Sequence, residues 1–457
     1  MFSENKEGIM RDRIVLLALI LIIGIFLAFI HLLVPVNTGN LFIVLFLMVF
    51  YTIIMSAAFS HQSRKQKKRP QRLNYGYEPS ISIMIPAHNE ESVIAQTVEN
   101  VLNIDYDDFE IFVIDDRSTD NTADVLRELE AKYKGKVRIL IRDKEAYPGK
   151  SAVLNDALAL TDKEVICVFD ADARVKKDFL RVLLPYLAPE EIGAVQGRKI
   201  IINKEANLLT RCQNNEYTLD NHFQLSRDSI NGAVELRGNG FLVKRAALEE
   251  IGGWNNDTIT DDLDLSTKLH LNAWGVRYCP VGEVYEEAIL DFVPLLKQRR
   301  RWVEGSIRRY LDYFFEVLTS EVISLRASFD MFAYLLEFVI PVLLIFQLCF
   351  QGFNYIKGNE HQLLSTLAVA CAIGIFFFFG LIFSLRRYDK LSWYQTLKQS
   401  LETSLYMLFM WTPLVTFIVF KILFFKRDMN WGKTSHGLAQ KEVSKEEAEE
   451  QEEVAEA

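Results

Sequence analysis

The chain has 457 residues, 50% of them hydrophobic, and its mean hydropathy of +0.09 averages strongly apolar stretches with an ordinary polar middle. That contrast predicts a globular domain joined to membrane helices, because single domains usually hold about 100 to 200 residues. The net charge of -9, with basic residues beside apolar segments, argues against nucleic-acid binding, and the five scattered cysteines argue against a zinc site or a redox pair.

Two apolar stretches near the N-terminus predict a transmembrane hairpin. They cover residues 14–35 and 41–60, and each is long enough to cross a bilayer as a helix. Lysine and arginine residues precede the hairpin, and a basic cluster follows it in residues 64–72. Because cytoplasmic loops are enriched in these cations, both ends of the hairpin are expected inside the cell. Residues 1–72 are therefore predicted to be a membrane hairpin with a basic juxtamembrane segment.

The segment from residue 75 to residue 288 has the pattern of a soluble α/β domain. Apolar runs typical of buried strands recur along it, with helical patterns between them. Strands that alternate with helices form a mostly parallel sheet, and ligands bind beyond the carboxyl ends of its strands. The predicted strands are residues 81–85, 109–114, 137–141 and 165–169.

Acidic residues follow two of these strands. Asp115 and Asp116 come after the second strand, and Asp170 and Asp172 come after the fourth. Two carboxylates at spacing two, on a turn after a buried strand, can hold one divalent ion that neutralises a nucleotide diphosphate. A D-x-D pattern also arises by chance or as a helix cap, so its position after the strand is what favours a metal site.

Two other charged positions suit phosphate binding and proton transfer. Lys150 lies at the start of a predicted helix, where a cation and backbone N–H groups can contact a phosphate, although an ordinary helix start is the alternative. Asp261 and Asp262 are adjacent, and like charges held close raise one pKa towards the range of a general base. A solvated acidic helix start is the alternative for this pair.

Residues 289–326 are predicted to form amphipathic helices at the membrane surface. Gln298, Arg301 and Trp302 lie within them and offer a guanidinium group for phosphate and an aromatic face for a sugar or base. A basic helix that contacts lipid headgroups is the simpler interpretation of the same arginine-rich stretch. The two roles are compatible.

Apolar segments return in residues 327–437, which are predicted to form a second membrane region. The last of them, residues 401–425, has Pro413 near its centre and cations directly after it. A full crossing would place these cations outside, so a re-entrant or interfacial segment broken at Pro413 is favoured. The spans predicted before it are residues 331–353 and 363–385.

Taken in order, four of these motifs resemble the signatures of the family 2 inverting glycosyltransferases, which include cellulose, chitin, hyaluronan and poly-N-acetylglucosamine synthases. The resemblance covers about residues 80–310. It implies an α/β GT-A fold, a nucleotide-diphospho-sugar transferase domain with a mostly parallel mixed sheet, flanked by transmembrane α-helices. The family patterns D, D-x-D, T-E-D and Q-x-x-R-W are matched by Asp115-Asp116, Asp170-Ala171-Asp172, Thr260-Asp261-Asp262 and Gln298 to Trp302, with Asp261 in place of Glu.

The resemblance also implies a UDP-sugar donor and a divalent metal, Mg2+ or Mn2+. Asp116, with Asp115, would contact the uridine. Asp262, beside Asp261, would deprotonate the acceptor hydroxyl. The metal and diphosphate would be held by Asp170 and Asp172. The further candidates for donor binding are Pro86, Glu90, Lys150, Gln298, Arg301 and Trp302.

The acceptor is the open question. Longer strings in residues 234–240, 252–255, 258–265 and 433–437 look like the β-monoglucosyldiacylglycerol synthases of this family, which implies glucose transfer from UDP-glucose to the 3-hydroxyl of diacylglycerol. Residues 431–434 are similar to the W-G-T-R stretch of hyaluronan and chitin synthases, which implies a processive polysaccharide synthase that extends and exports a polymer. An inactive sugar-nucleotide-binding scaffold is a third interpretation, but every acidic motif position is filled.

These patterns together predict a multi-pass protein of the plasma or inner membrane with a cytoplasmic catalytic domain. Its expected partners are the UDP-sugar donor, a lipid or growing-glycan acceptor and membrane lipids, with no nucleic acid and no indication of a protein partner. Residues 438–457 are rich in glutamate and alanine and are predicted to be an acidic, disordered tail.

Overall fold

The structure is a computed structural model that describes residues 73–358 and 360–425. The predicted N-terminal hairpin, the basic segment, residues 431–437 and the acidic tail lie outside the described residues. The described chain divides into two compact units. The sheet unit is defined here as residues 73–217 and 234–298, and the helical unit as residues 218–233, 299–358 and 360–425.

An eight-stranded mixed sheet forms the centre of the sheet unit. Its strands are β1 (Ile81–Ala87), β2 (Phe109–Asp115), β3 (Val137–Ile141), β4 (Val165–Val168), β5 (Arg174–Val175), β6 (Ile192–Ile201), β7 (Phe241–Lys244) and β8 (Gly275–Glu286). Their order is β3-β2-β1-β4-β7-β6-β8-β5. β1 to β4 are mutually parallel, β7 is antiparallel to β4 and β6, and β6 runs parallel to β8.

The four parallel strands are the ones that the sequence predicts, and the other four were not predicted. All residues of β1 and β4 are buried, so both strands read as continuous apolar runs. In β8 buried residues mostly alternate with partly exposed ones, and two of the latter, Arg277 and Glu283, are charged. Such a strand has no apolar run to mark it.

Helices cover the sheet and bury an apolar stripe against it. The helix that follows β1, for example, buries Ile94, Val98 and Val101, which lie on one helical face. The helices that begin in this unit are α1 (Ile94–Leu102), α2 (Thr122–Lys132), α3 (Lys150–Leu158), α4 (Phe179–Leu187), α5 (Leu208–Ile230), α6 (Arg245–Glu250), α7 (Asp261–Leu271) and α8 (Phe292–Thr319).

The helical unit contains two segments that are long and apolar enough to cross a membrane, judged by length and composition among the described residues. The first, Leu325–Phe353, contains the predicted span 331–353, and the second is Trp393–Phe424. The predicted span 363–385 lies within a helix of 29 residues. The helices of this unit are α9 (Leu325–Ile356), α10 (Glu360–Tyr388), α11 (Trp393–Tyr406) and α12 (Thr412–Phe424).

The break predicted at Pro413 is not present. A π-helical turn, Met407–Trp411, joins α11 to α12, and the helical backbone continues from Trp393 to Phe424. Pro413 falls in the first turn of α12, directly after the π-helical turn. The π-helical turn interrupts the regular hydrogen-bond pattern of the α-helix at this point, so the missing N–H of proline is tolerated without a break.

The C-terminal half of α5 groups with the helical unit, although the sequence assigns all of residues 75–288 to one domain. Within the helical unit, Arg227 Nε lies 3.3 Å from Asp330 Oδ2, and both side chains are buried. The backbone N–H of Ala233 donates to the same carboxylate oxygen at 2.9 Å. The division between residues 217 and 218 falls inside α5, so no turn in the sequence marks it.

Candidate active site

The acidic residues of the parallel strands lie at the carboxyl edge of the sheet, as predicted. β2 ends at Asp115, and Asp170 follows β4 after one intervening residue. β1 lies between these two strands and is hydrogen-bonded to both, so the loops after them converge. The converging loops form the floor of the candidate active site.

The adjacent residues Asp115 and Asp116 have different environments. Asp116 is buried, and its oxygens accept hydrogen bonds from Arg142 at 2.6 Å, from Arg117 at 2.9 Å and from the backbone of Gly149 at 3.1 Å. Asp115 is also buried, but its Oδ1 has no hydrogen-bond partner among the described residues. Burial raises the pKa of Asp115 above its ordinary value.

The loop after β1 lies against the loop that follows these aspartates. His88 Nδ1 lies 2.7 Å from the backbone oxygen of Asp116, and the backbone N–H of Glu90 donates to Thr122 Oγ1 at 2.8 Å. Pro86 is buried in β1, opposite Ile114 of β2. Pro86 therefore lies in the strand next to β2. Glu90 follows this strand, and its backbone hydrogen bond to Thr122 holds it against the start of α2.

Lys150 connects the D-x-D loop with the Asp261–Asp262 pair. Its Nζ donates to Asp170 Oδ1 at 2.6 Å and to the backbone oxygen of Gly238 at 2.9 Å. The attraction of Asp170, Asp261 and Asp262 outweighs the effect of burial and raises the pKa of Lys150. One partly buried ammonium group thus lies near three carboxylates from two separate parts of the sequence.

Asp262 lies in the first turn of α7, where the positive end of the helix dipole stabilises its negative charge. Burial, followed by repulsion from Asp261, raises its pKa to about 6, while Lys150 and Arg237 oppose the shift. The adjacent carboxylate has the predicted effect, but burial is the larger cause. Asp261 Oδ2 is buried without a hydrogen-bond partner in the described part of the chain.

Three residues between β6 and β7 belong to this site and were missed by the sequence analysis. Gly238 has a φ of +77°, and its Cα approaches Asp262 so closely that a Cβ would lie 3.2 Å from Asp262 Oδ2. Arg237 is near enough to affect the pKa of Asp262. Asn239 is buried, and its Oδ1 accepts the backbone N–H of Asp170 at 3.1 Å. The only sequence signal for them is the Arg-Gly-Asn-Gly run.

The arginine-rich motif lies on α8. Gln298 is the last residue of the sheet unit, and Arg301 and Trp302 belong to the helical unit. Within the helical unit Arg299 is fully buried, with its guanidinium carbon 4.0 Å from the centre of the Trp302 ring. This cation–π contact gives Trp302 a partner that the motif match did not identify.

Comparison with known proteins identifies the family. Residues 79–305 match the family described as glycosyltransferase like family 2. A β-monoglucosyldiacylglycerol synthase from Nostoc sp. is 36% identical over 407 residues, which cover 88% of this chain and 85% of the relative. The chain belongs to glycosyltransferase family 2. It is therefore a hexosyltransferase, and its two long apolar helices associate it with a membrane.

Other relatives show the range of this family. A β-monoglucosyldiacylglycerol synthase from Synechocystis sp. is 37% identical over 371 residues, covering 79% of this chain and 76% of the relative. A poly-β-1,6-N-acetyl-D-glucosamine synthase from Staphylococcus epidermidis is 28% identical over 341 residues, covering 69% and 79%. A solved mannosyltransferase from Pyrobaculum calidifontis, in complex with GDP-mannose and Mn2+, covers 80% of this chain and 99% of its own, with 18% identity and a TM-score of 0.51. That likeness shows the GT-A fold.

The D-x-D loop of this glycosyltransferase has the donor groups that a hard divalent ion requires. Asp170 is partly exposed, and Asp172 accepts a long hydrogen bond of 3.4 Å from the backbone of Glu287. Among the described residues no group of three or more His, Cys, Asp and Glu side chains has a metal-binding arrangement. Two carboxylates at spacing two are the type of oxygen ligand that a hard divalent ion takes, so Asp170 and Asp172 fit such an ion.

The raised pKa of Asp262 leads to a prediction about pH. We expect kcat/KM of this glycosyltransferase for the donor to fall as the pH drops through about 6, because the carboxylate accepts a proton only in its ionised form. UDP release measured from about pH 5 to about pH 8, at donor concentrations well below KM, tests this expectation. A kcat/KM that is level across this range, or that rises at low pH, would contradict it.

Gly238→Ala is expected to lower kcat about tenfold, because the new Cβ would push against Asp262 Oδ2 and displace the carboxylate. Gly135→Ala is the matched control, since Gly135 has a similar φ of +85° and open space around the position of a Cβ. Both variants carry backbone strain of about 1 kcal/mol, so their unfolding temperatures should fall alike. Equal kcat values for the two variants would show that the contact with Asp262 is unimportant.

Proposed function

We propose that this glycosyltransferase moves glucose from UDP-glucose to the 3-hydroxyl of diacylglycerol and forms a β-linkage. One structural observation carries the proposal: Lys150 donates to the D-x-D carboxylate Asp170 and lies near enough to Asp261 and Asp262 for their charges to raise its pKa, and the pKa of Asp262 is raised to about 6, as suits a general base. Likeness to β-monoglucosyldiacylglycerol synthases along 88% of the chain supports the choice of acceptor and sugar.

In the proposed donor complex, Asp115 binds the uracil ring. Its buried Oδ1 has no hydrogen-bond donor among the residues that the structure describes, and a uracil ring supplies an N–H donor, while Asp116 is held by two arginines and orients the loop. Asp170 and Asp172 would hold Mg2+ or Mn2+, which supplies positive charge to the leaving diphosphate. Gln298, Arg301 and Trp302 are proposed to contact the diphosphate and the acceptor entrance.

The proposed reaction is a direct displacement with inversion. Asp262 takes the proton of the acceptor hydroxyl, and the oxygen forms a bond to the anomeric carbon of the sugar. The bond from that carbon to the diphosphate oxygen breaks, and UDP leaves with the electron pair. Lys150 donates to Asp170 Oδ1 and is proposed to stabilise the negative charge that develops on the leaving diphosphate. Attack opposite the leaving group converts an α-linked donor into a β-linked product.

We further propose a multi-pass protein of the plasma or inner membrane whose sheet unit is cytoplasmic. The two apolar helices and the basic residues beside the apolar segments support this topology. A membrane-embedded acceptor such as diacylglycerol suits an enzyme that is held at the bilayer. Protease accessibility of the sheet unit in sealed inverted vesicles tests this orientation.

A processive polysaccharide synthase is the second candidate. The relative from Staphylococcus epidermidis supports it, since it shares 28% identity over 341 residues and its name gives a polymer as the product. Both candidates use the same proposed donor site and base. They differ in the acceptor, so the product distinguishes them.

The decisive experiment supplies the purified full-length protein with divalent metal, mixed lipids and radiolabelled UDP-glucose or UDP-N-acetylglucosamine. The expected product is a chloroform-soluble monoglucosyl lipid with β-linkage. Long water-soluble chains would overturn the lipid acceptor and support the second candidate. An absence of transfer from either donor, in protein that binds UDP, would contradict both.

A further inference from the structure

A short loop contacts both of the helices that carry the charges of the proposed reaction. Residues 252–257, which we call the bridging loop, lie just before α7 in the chain. Lys150 is the first residue of α3, and Asp261 and Asp262 are the first two residues of α7. The two helix starts must keep a fixed separation for Lys150 and Asp262 to act on the same substrate.

Asn155 on α3 binds the bridging loop through its side-chain amide. Its Oδ1 accepts the backbone N–H of Trp254 at 2.9 Å, and its Nδ2 donates to the backbone oxygen of Trp254 at 2.8 Å. Nδ2 also donates to Asn256 Oδ1 at 3.0 Å. The amide thus uses its acceptor and both donors on one loop, and a flipped amide would place like groups against each other.

The bridging loop is shaped around Asn155. Gly252 and Gly253 have φ values of +75° and +70°, so the chain makes a sharp left-handed turn that glycine adopts without strain. A Cβ on Gly253 would lie 2.6 Å from Asn155 Oδ1, closer than side-chain atoms approach each other. Trp254, the next residue, is buried and anchors the turn.

The opposite side of the loop is bonded to α7. Lys268 Nζ donates to the backbone oxygen of Gly253 at 2.8 Å, and Asn255 Nδ2 donates to Asp264 Oδ1 at 3.2 Å. Asp264 lies two residues after Asp262, in the same turn of the helix. A displacement of the loop would therefore move the start of α7.

We propose that Asn155 is a positioning residue that, through the bridging loop, holds the start of α7 and its Asp262 against Lys150. This inference rests on the proposed role of Asp262 as the base. Loss of the amide frees Trp254 from α3 and lets the base move relative to the donor site. The groups that the proposal assigns to donor binding follow β2 and β4 or belong to the Gln298 to Trp302 motif, and their positions do not depend on the bridging loop.

Asn155→Ala is therefore expected to lower kcat about tenfold to a hundredfold while KM for the donor changes less than about twofold. Rates should be divided by the number of UDP-binding sites titrated in each preparation, so that unfolded protein does not count. A purely structural role would lower the number of binding sites and leave the rate per site unchanged. That result would overturn the proposal.

Asn272→Ala provides the matched control. Asn272 ends α7, and its exposed amide donates to the backbone oxygen of Lys268 at 2.8 Å, so this variant loses one amide-to-backbone bond far from the start of the helix. Its rate per site should equal that of the unaltered protein. Equal losses in both variants would contradict a specific role for Asn155.

Asp262→Asn in the same assay distinguishes the role of Asp262 as the base from the positioning role of Asn155. If Asp262→Asn is as active as the unaltered protein, the proposed base is wrong, whatever Asn155→Ala does. If Asp262→Asn is inactive and Asn155→Ala is fully active per site, only the positioning role is wrong. Low activity of both variants, with UDP binding intact, supports both.

Discussion

Asp262→Asn is expected to lower kcat by about a thousandfold, because an amide cannot accept the acceptor proton at neutral pH. The amide has the size of the carboxylate, so UDP should bind to the variant as it does to the unaltered protein. UDP release and equilibrium binding of UDP measure the two properties. Full activity, or a loss of UDP binding equal to the loss of activity, would contradict the assignment of Asp262 as the base.

The same variant should be more stable than the unaltered protein. Because the pKa of Asp262 is raised to about 6 in the folded state, the folded protein binds this proton more tightly than the unfolded chain does. Stability is therefore lost as the pH rises from the ordinary pKa of aspartate through about 6. An asparagine removes that loss, so the unfolding temperature at neutral pH should rise. Asp178→Asn, an exposed aspartate directly before α4, is the control and should change neither property.

Asp172→Asn and Asp170→Asn are each expected to lower kcat/KM by about a hundredfold or more, since charge neutralisation by a metal contributes several kcal/mol to such a transfer. More Mn2+ should be needed for half-maximal activity. Binding of Mn2+ in the presence of UDP, followed by electron paramagnetic resonance, supplies a measurement that is independent of turnover.

Asp107→Asn is the control for both metal-site variants. Asp107 is an exposed aspartate that precedes β2, at the opposite end of the strand from Asp115. Its replacement changes the net charge by the same amount and should leave Mn2+ binding unaltered. Normal Mn2+ binding and activity in Asp170→Asn and Asp172→Asn would show that the D-x-D pattern is not a metal site.

The four parallel strands β1 to β4 follow from local patterns, and the other four strands do not. β1 and β4 are buried on both faces, so their residues are almost all apolar and mark strands directly. β8 has charged residues on a partly exposed face, and β5 has only two residues. Their place in the sheet depends on pairing with distant strands, which no local pattern contains.

The acidic motifs were recognisable because each lies directly after a strand or at the start of a helix. Asp115, Asp170 and Asp262 are of this kind. The pairing of Lys150 with Asp170, and the approach of Gly238 to Asp262, join segments that are far apart in the chain. Contacts of this kind exist only after the chain has folded.

The amino-acid sequence alone was enough to predict the family, the α/β domain and the carboxylates at the end of its strands, since these depend on residue type and short spacing. Tertiary structure decided which of the neighbouring carboxylates has an oxygen without a partner in the described part of the chain, Asp115 and not Asp116, and that a helix runs through Pro413. It also revealed Asn155, whose three hydrogen bonds end on residues about 100 positions away. The burial, the hydrogen bonds and the pKa of a side chain depend on residues that are distant in the sequence but close in the fold, and a local sequence pattern does not identify those residues.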